Sequence, residues 1–306
     1  MPMRLKSLFV VLVTTGALTG CAQAPQSAVE ISANDVSTTR VQSSEIPKYS
    51  RVVALANGSA EIIDSLGQKK ILIGRDVAST EPALKSVPIV TSGHQVVAEK
   101  IIALNPDLVI IDSSVGPSTA LASLKSAGIR VQLVNEVWTV SGISKKVEEV
   151  ATLLGVPKAG QELATAINST ITSASKKVKG APRVLFLYLR GGNSIYLVGG
   201  SGSGADSMLS AIGAIDVGAT AGSKPFTPLS AESLIAMNPD VILVMIKGLQ
   251  SVGGVAGLIE LPGIAQTPAG KNSRVIAVDD SLLLSFGART PSLLDQLAKA
   301  LNEVQR

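Results

Sequence analysis

The chain has 306 residues, 46% of them hydrophobic but only 3% aromatic, and a formal charge of +4 from scattered Lys and Arg. The absence of a long basic stripe excludes an extended nucleic-acid track. So few aromatic rings argue against stacking platforms and sugar-binding surfaces.

The first residues read MPMRLKSLFVVLVTTGALTGCAQ. Arg4 and Lys6 form a short positive region, and Leu8 to Leu18 is apolar but too short for a stable membrane span. The run ends in Leu18-Thr19-Gly20-Cys21, which resembles a bacterial lipobox, where the cysteine is lipidated and becomes the first mature residue. Cys21 is the only cysteine, so it has no disulfide partner within the chain. Residues 1–20 are thus expected to be a lipoprotein signal peptide. Residues 21–48, rich in Ala, Ser, Thr and Gln, are expected to form a flexible tether.

From Arg51, short β-branched runs alternate with helical stretches. RVVAL (51–55) leads to AEIIDSLG (60–67) and ILIG (71–74). IIALNPD (101–107) leads to LVIID (108–112), and LASLKSAG (121–128) to IRVQLV (129–134). Each helix is punctuated by Gly or Pro, a βαβ pattern that implies a parallel sheet covered on both faces. The second half repeats the scheme with strands RVLFLYL (183–189) and SIYLVG (194–199) and helix SMLSAIG (207–213). AEKIIALNPD (98–107) is echoed by AESLIAMNPD (231–240), 133 residues later, and a strand follows each copy. Between the halves, residues 140–180 keep helical periodicity over most of their length. The expected fold class is α/β: two Rossmann-like lobes, residues 49–138 and 181–306, joined by a long linker helix within 139–180.

Such a lipoprotein resembles the substrate-binding proteins of ABC importers. Its helical linker and the repeated Asn-Pro-Asp phrase narrow the likeness to the branch that carries cobalamin, ferric siderophores and haem. Four positions resemble the haem-binding, HmuT-type lipoproteins: His94 in SGH (92–94), Tyr188 and Arg190 in FLYLRG (186–191), and Met245 in VILVMIKGLQSVGG (241–254). GSGSGAD (200–206) and LPGIAQTP (261–268) also look like that subgroup. The resemblance implies that His94 and Tyr188 ligate the iron of ferric haem b from opposite lobes. It further implies that Arg190 hydrogen-bonds the phenol and that Met245 lies nearby. The implied partners are an ABC permease with its ATPase subunit, the membrane through lipid at Cys21, and upstream haem-capture proteins, with the receptor itself a monomer on the extracytoplasmic face. Acidic residues near a helix start in each lobe would meet arginines on the permease, matched here by Glu61 and Asp206. Lys85, Lys224, Arg75 and Arg289 are candidates to meet the propionates. A ferric siderophore or cobalamin is the alternative cargo.

Taken alone, the residues leave duller readings open. His94 is also an ordinary loop histidine, Tyr188 a core aromatic with its hydroxyl at the rim, Arg190 a solvated strand end and Met245 a core residue. Glu61 is also a favourable first-turn charge. Haem iron is commonly held by His, Cys, Met or Tyr, and a guanidinium beside a phenol favours its charged form. Strand alternation puts Tyr188 and Arg190 on one face, at the carboxyl end where ligands bind in open α/β sheets. Gly200 to Ala205 fits a weak dinucleotide fingerprint, read here as a tight turn bordering the cleft and able to offer N–H groups to a carboxylate. No Walker A sequence occurs, and no second histidine is available for a Ser-His-Asp triad or for a zinc or manganese cluster. An enzyme is not expected.

Overall fold

The computed structural model describes residues 27–93, 95–174, 177–191 and 195–306. The expected signal peptide, Cys21 and His94 lie outside the described residues. Strand β1 (Val29–Ile31) is followed, in the first lobe, by β2 (Val52–Ala54), helix α1 (Ser59–Ser65) and β3 (Leu72–Arg75). Two short strands, β4 (Thr91–Ser92) and β5 (Gln95–Val96), pair antiparallel and precede α2 (Ala98–Ala103). Then come β6 (Leu108–Ile111), α3 (Ser118–Ser126) and β7 (Val131–Leu133). The four longer strands make an all-parallel sheet in the order β3-β2-β6-β7, as the βαβ pattern implied.

The linker departs from a single long helix. It is a hairpin of two helices, α4 (Ile143–Leu154) and α5 (Pro157–Ala174). Gly155 adopts a left-handed φ of 80° and closes α4, and Pro157 opens α5 with the φ that suits a first helical residue. The two helices pack antiparallel so closely that a Cβ on Gly160 would stand 2.5 Å from the Ala151 methyl. Ser144 Oγ donates to Asn168 Oδ1 at 2.6 Å across the same seam.

The second lobe contains β8 (Arg183–Arg190), β9 (Ile195–Val198), helix α6 (Ala205–Ile212), β10 (Ile215–Asp216), β11 (Thr227–Pro228), β12 (Val241–Met245) and β13 (Val275–Val278). Its sheet runs β1-β13-β12-β8-β9-β11, with β10 beside β8. The pairs β1/β13, β13/β12, β12/β8 and β10/β8 are parallel, whereas β9 folds back on β8 as an antiparallel hairpin extended by β11.

The repeated phrase forms the same local device in both lobes. Asn105 and Asn238 each take a φ of 45° after their helix. Arg51 donates to the Leu104 and Asn105 carbonyls, and Arg183 to those of Met237 and Asn238. Asp107 accepts from the Arg51 N–H, and Asp240 from the Arg183 N–H, so each phrase pins the next strand to the first strand of its lobe.

Residues 27–48 are not a free tether. β1 adds to the second lobe's sheet, and the chain then crosses both lobes. The Thr39 N–H donates to Ala288 O at 3.1 Å, the Val41 N–H to Ser65 O at 2.9 Å and the Lys48 N–H to Leu154 O at 2.7 Å. The Glu45 carboxylate accepts from the Lys158 and Ala159 N–H groups at the start of α5. This polar stretch is ordered because its backbone groups find partners, and because Ile31, Val36 and Tyr49 are buried.

One apolar core joins the lobes. It runs from Val52 and Ile110, through Val147, Val150 and Leu163 of the hairpin, to Phe186, Leu243 and Ile276. Alternate residues of the same strands (Val53, Val109; Leu185, Leu187, Ile242, Val244) face separate outer cores.

Candidate functional site

The carboxyl ends of the strands in both lobes open onto a shared cleft of about 750 Å³, within the range of small-molecule sites. Its second-lobe wall is built by the ends of β8 and β12. Tyr188 and Arg190, two apart on β8, face the cleft together, as strand alternation required. Tyr188 is half-buried and packs edge-on against Phe226, with ring centroids 5.4 Å apart.

The Arg190 guanidinium does not take the place expected for it. Instead of donating to the phenol oxygen it lies over the Tyr188 ring, with Cζ 4.8 Å from the centroid. Its Nη1 donates to Leu189 O at 2.9 Å and its Nη2 to Asp280 Oδ1 at 2.5 Å. A flat cation over a ring face is itself a favourable arrangement. Met245, the last residue of β12, is buried with its sulfur 3.9 Å from Nη2, where it lines the cleft and packs on the arginine.

The first-lobe wall includes Gly93, whose φ of 59° turns the chain at the tip of β4–β5. His94 follows directly, outside the described residues. Asp76 and Glu81 line the same wall. Burial pushes the Asp76 carboxyl up, against hydrogen bonds from Ser79 and the Ala78 N–H.

Behind this wall lies a charged network between the lobes. Arg289, 2% exposed, donates from its backbone N–H and Nε to Glu61, at 2.5 and 2.9 Å, and from Nη2 to Glu81 at 2.8 Å. Burial, and then the adjacent Glu61 charge, push Glu81 up to about 8, against the pull of Arg289. From the linker, Lys146 donates to Ser285 O and Phe286 O, and burial draws its amine down to about 8.

This network corrects two expectations. Glu61, expected to meet a permease at the surface, is 1% exposed and spends its oxygens on Arg289. Arg289 is likewise not available to a ligand carboxylate. Nor is Arg75, buried with its guanidinium donating to the carbonyls of Leu84, Val87, Asp76 and Ser79. Lys85 and Lys224 are exposed but are not among the residues that line the cleft.

Asp206 is partly exposed at the start of α6 and accepts from the Gly202 and Gly204 N–H groups. The glycine loop therefore directs these N–H groups to its own helix rather than to a ligand. A Cβ on Gly204 would meet the Phe286 ring at 2.6 Å, so the loop's role is close packing.

Sequence reasoning missed Trp138, Phe226, Lys247 and Asp280, all of which line the cleft. The rings carried a usable signal. The chain holds one Trp, three Tyr and four Phe, and Trp138, Tyr188 and Phe226 all stand here.

A family model described as periplasmic binding protein matches residues 52–282. The chain belongs to the periplasmic binding protein family. Among solved structures, RhuT of Roseiflexus sp. RS-1, a periplasmic heme-binding protein in apo form, is 39% identical with a TM-score of 0.79, covering 84% of this chain and 99% of that one. The heme-binding protein HmuT is 32% identical with a TM-score of 0.80, covering 90% and 98%. Among curated family relatives, the ABC transporter substrate-binding lipoprotein YvrC of Bacillus subtilis is 27% identical, covering 89% of this chain and 85% of the relative. A vitamin B12-binding protein of Vibrio campbellii is 26% identical, covering 66% and 73%.

Proposed function

We propose that this protein is an extracytoplasmic haem receptor, lipid-anchored through Cys21, that delivers ferric haem b to an ABC permease driven by its ATPase subunit. The observation that carries this reading is Tyr188, a phenol half-buried at the end of β8 in a cleft walled by Trp138, Phe226 and Leu197, with a guanidinium over its ring. An anionic oxygen donor stabilises ferric over ferrous iron. The apolar walls suit a porphyrin face, and both solved relatives named above bind heme. In this reading Tyr188 ligates the iron from the second lobe and His94 from the first. The place of Gly93 in the opposite wall supports a histidine approach from that side. Arg190 and Met245 shape the Tyr188 side. Asp206 is the remaining acidic contact for the permease.

The test is anaerobic titration of the mature protein with haemin, followed by absorption and resonance Raman spectra. The expected result is a Soret band and a tyrosinate charge-transfer signature that Tyr188→Phe abolishes, with His94→Ala changing the coordination state. An unchanged iron–phenolate mode in Tyr188→Phe sinks the assignment of Tyr188. The B12-binding relative favours a second reading, cobalamin as cargo in the same cleft. Saturable uptake of cyanocobalamin without a Soret response to haemin decides for it.

A further inference from the structure

Arg190 sits where two demands compete. A cation in a cleft that takes an anionic ligand is ordinarily drawn to that ligand. Yet the carboxylate of Asp280, 90 residues later in the chain, reaches Arg190 Nη2 at 2.5 Å. Asp280 is itself fixed, because its other oxygen accepts the Lys247 N–H at 3.0 Å. The pair is only partly exposed, 30% for the arginine side chain and 14% for the aspartate, so the charges are little screened. Space for the guanidinium is reserved as well. A Cβ on Gly248 would stand 3.2 Å from Nη1 and 2.8 Å from the Leu189 carbonyl that accepts from it. Carboxylate, carbonyl, thioether and glycine thus define one position for the guanidinium, over the Tyr188 ring.

We infer that Asp280 is a positioning residue, holding Arg190 against the Tyr188 ring and withholding it from the anionic groups of the ligand. Its carboxylate fixes the plane of the guanidinium through a charge-assisted bond. The phenol oxygen is left clear for a ligand, while the cation acts through the ring face. Lys247 is then the cationic side chain of the cleft lining, among the described residues, that is left to meet ligand carboxylates. The consequence for the ligand rests on the haem reading above; the placement of Arg190 does not.

Two measurements test this separately. Without haemin, side-chain nitrogen NMR of the full mature protein reads rotation of the Arg190 guanidinium. Wild type gives two resolved Nη signals, and both Asp280→Asn and Asp280→Ala average them. Asp280→Asn keeps an acceptor for the Lys247 N–H, so it stands in if the alanine variant does not fold. Resolved signals in a folded variant overturn the inference.

In the second measurement, haemin and haemin dimethyl ester are titrated into wild type and Asp280→Asn. Release of Arg190 raises the preference for the free acid over the ester by about tenfold and weakens the tyrosinate charge-transfer band. A purely structural aspartate would weaken both ligands alike, and an unchanged ratio overturns the inference. If wild type takes up neither haemin nor its ester, the haem reading falls. The NMR measurement then still decides where Arg190 is held.

Discussion

Replacing Arg289 with methionine removes the guanidinium between Glu61 and Glu81 while keeping most of the buried stem. In the wild type it makes bonds of 2.9 and 2.8 Å to the two carboxyls and a longer one, 3.3 Å, to Ser281 O, all between groups almost without solvent contact. Stripping one partner from a buried ion pair costs roughly 3–5 kcal/mol, because the remaining charge is stranded. The lower end applies here. Glu81, pushed up to about 8, is largely neutral at pH 7, and Glu61 keeps the Arg289 backbone N–H at 2.5 Å. About 3 kcal/mol corresponds to a melting temperature roughly 5 °C lower in a protein of this size. Thermal unfolding at pH 7 measures it. Glu61→Gln with Glu81→Gln and Arg289→Met restores most of the stability, since all the buried charges leave together. A melting temperature within about 1 °C of wild type refutes the argument. Lost haemin affinity with unchanged melting would return Arg289 to the ligand.

Two further outcomes are expected. Because Glu81 is raised from an ordinary 4.5 to about 8, the folded protein keeps a proton that the unfolded chain releases between those values. Wild-type stability therefore declines as pH rises through that window, and Glu81→Gln removes this part of the slope, on the order of 1 kcal/mol per pH unit; denaturant unfolding at pH 5, 6.5 and 8 checks it, and parallel curves for the two proteins count against it. Cys21→Ala releases the protein from the membrane fraction or leaves its signal peptide uncut, and a variant that still fractionates as a mature membrane lipoprotein removes the anchor assignment.

The network also changes what a docking experiment can use. Glu61→Arg would set a second guanidinium beside Arg289 in a buried site, so loss of transport in that variant would report misfolding rather than docking. Asp206→Arg is the interpretable half, read beside a neutral Asp206→Asn that also weakens the cap on the glycine loop.

What the sequence by itself determined was set by local rules. Short β-branched apolar runs gave the strands, Gly and Pro punctuation gave their limits, and the repeated Asn-Pro-Asp phrase gave two related lobes. Tyr188 and Arg190 on one face followed from their spacing on a strand. Gly155 and Pro157 also carried the break in the linker, but periodicity across the break outweighed them and a single helix was expected. Only the tertiary structure decided which charges meet. Glu61 and Arg289 are 228 residues apart and Arg190 and Asp280 are 90 apart, so neither pairing has a local signature. Residues 27–48 look too polar to pack, and they are ordered because distant strands and helix ends accept their backbone hydrogen bonds. A buried charge takes whatever counter-charge the packed lobes bring within reach, because leaving it unpaired away from water costs more than almost any local preference supplies.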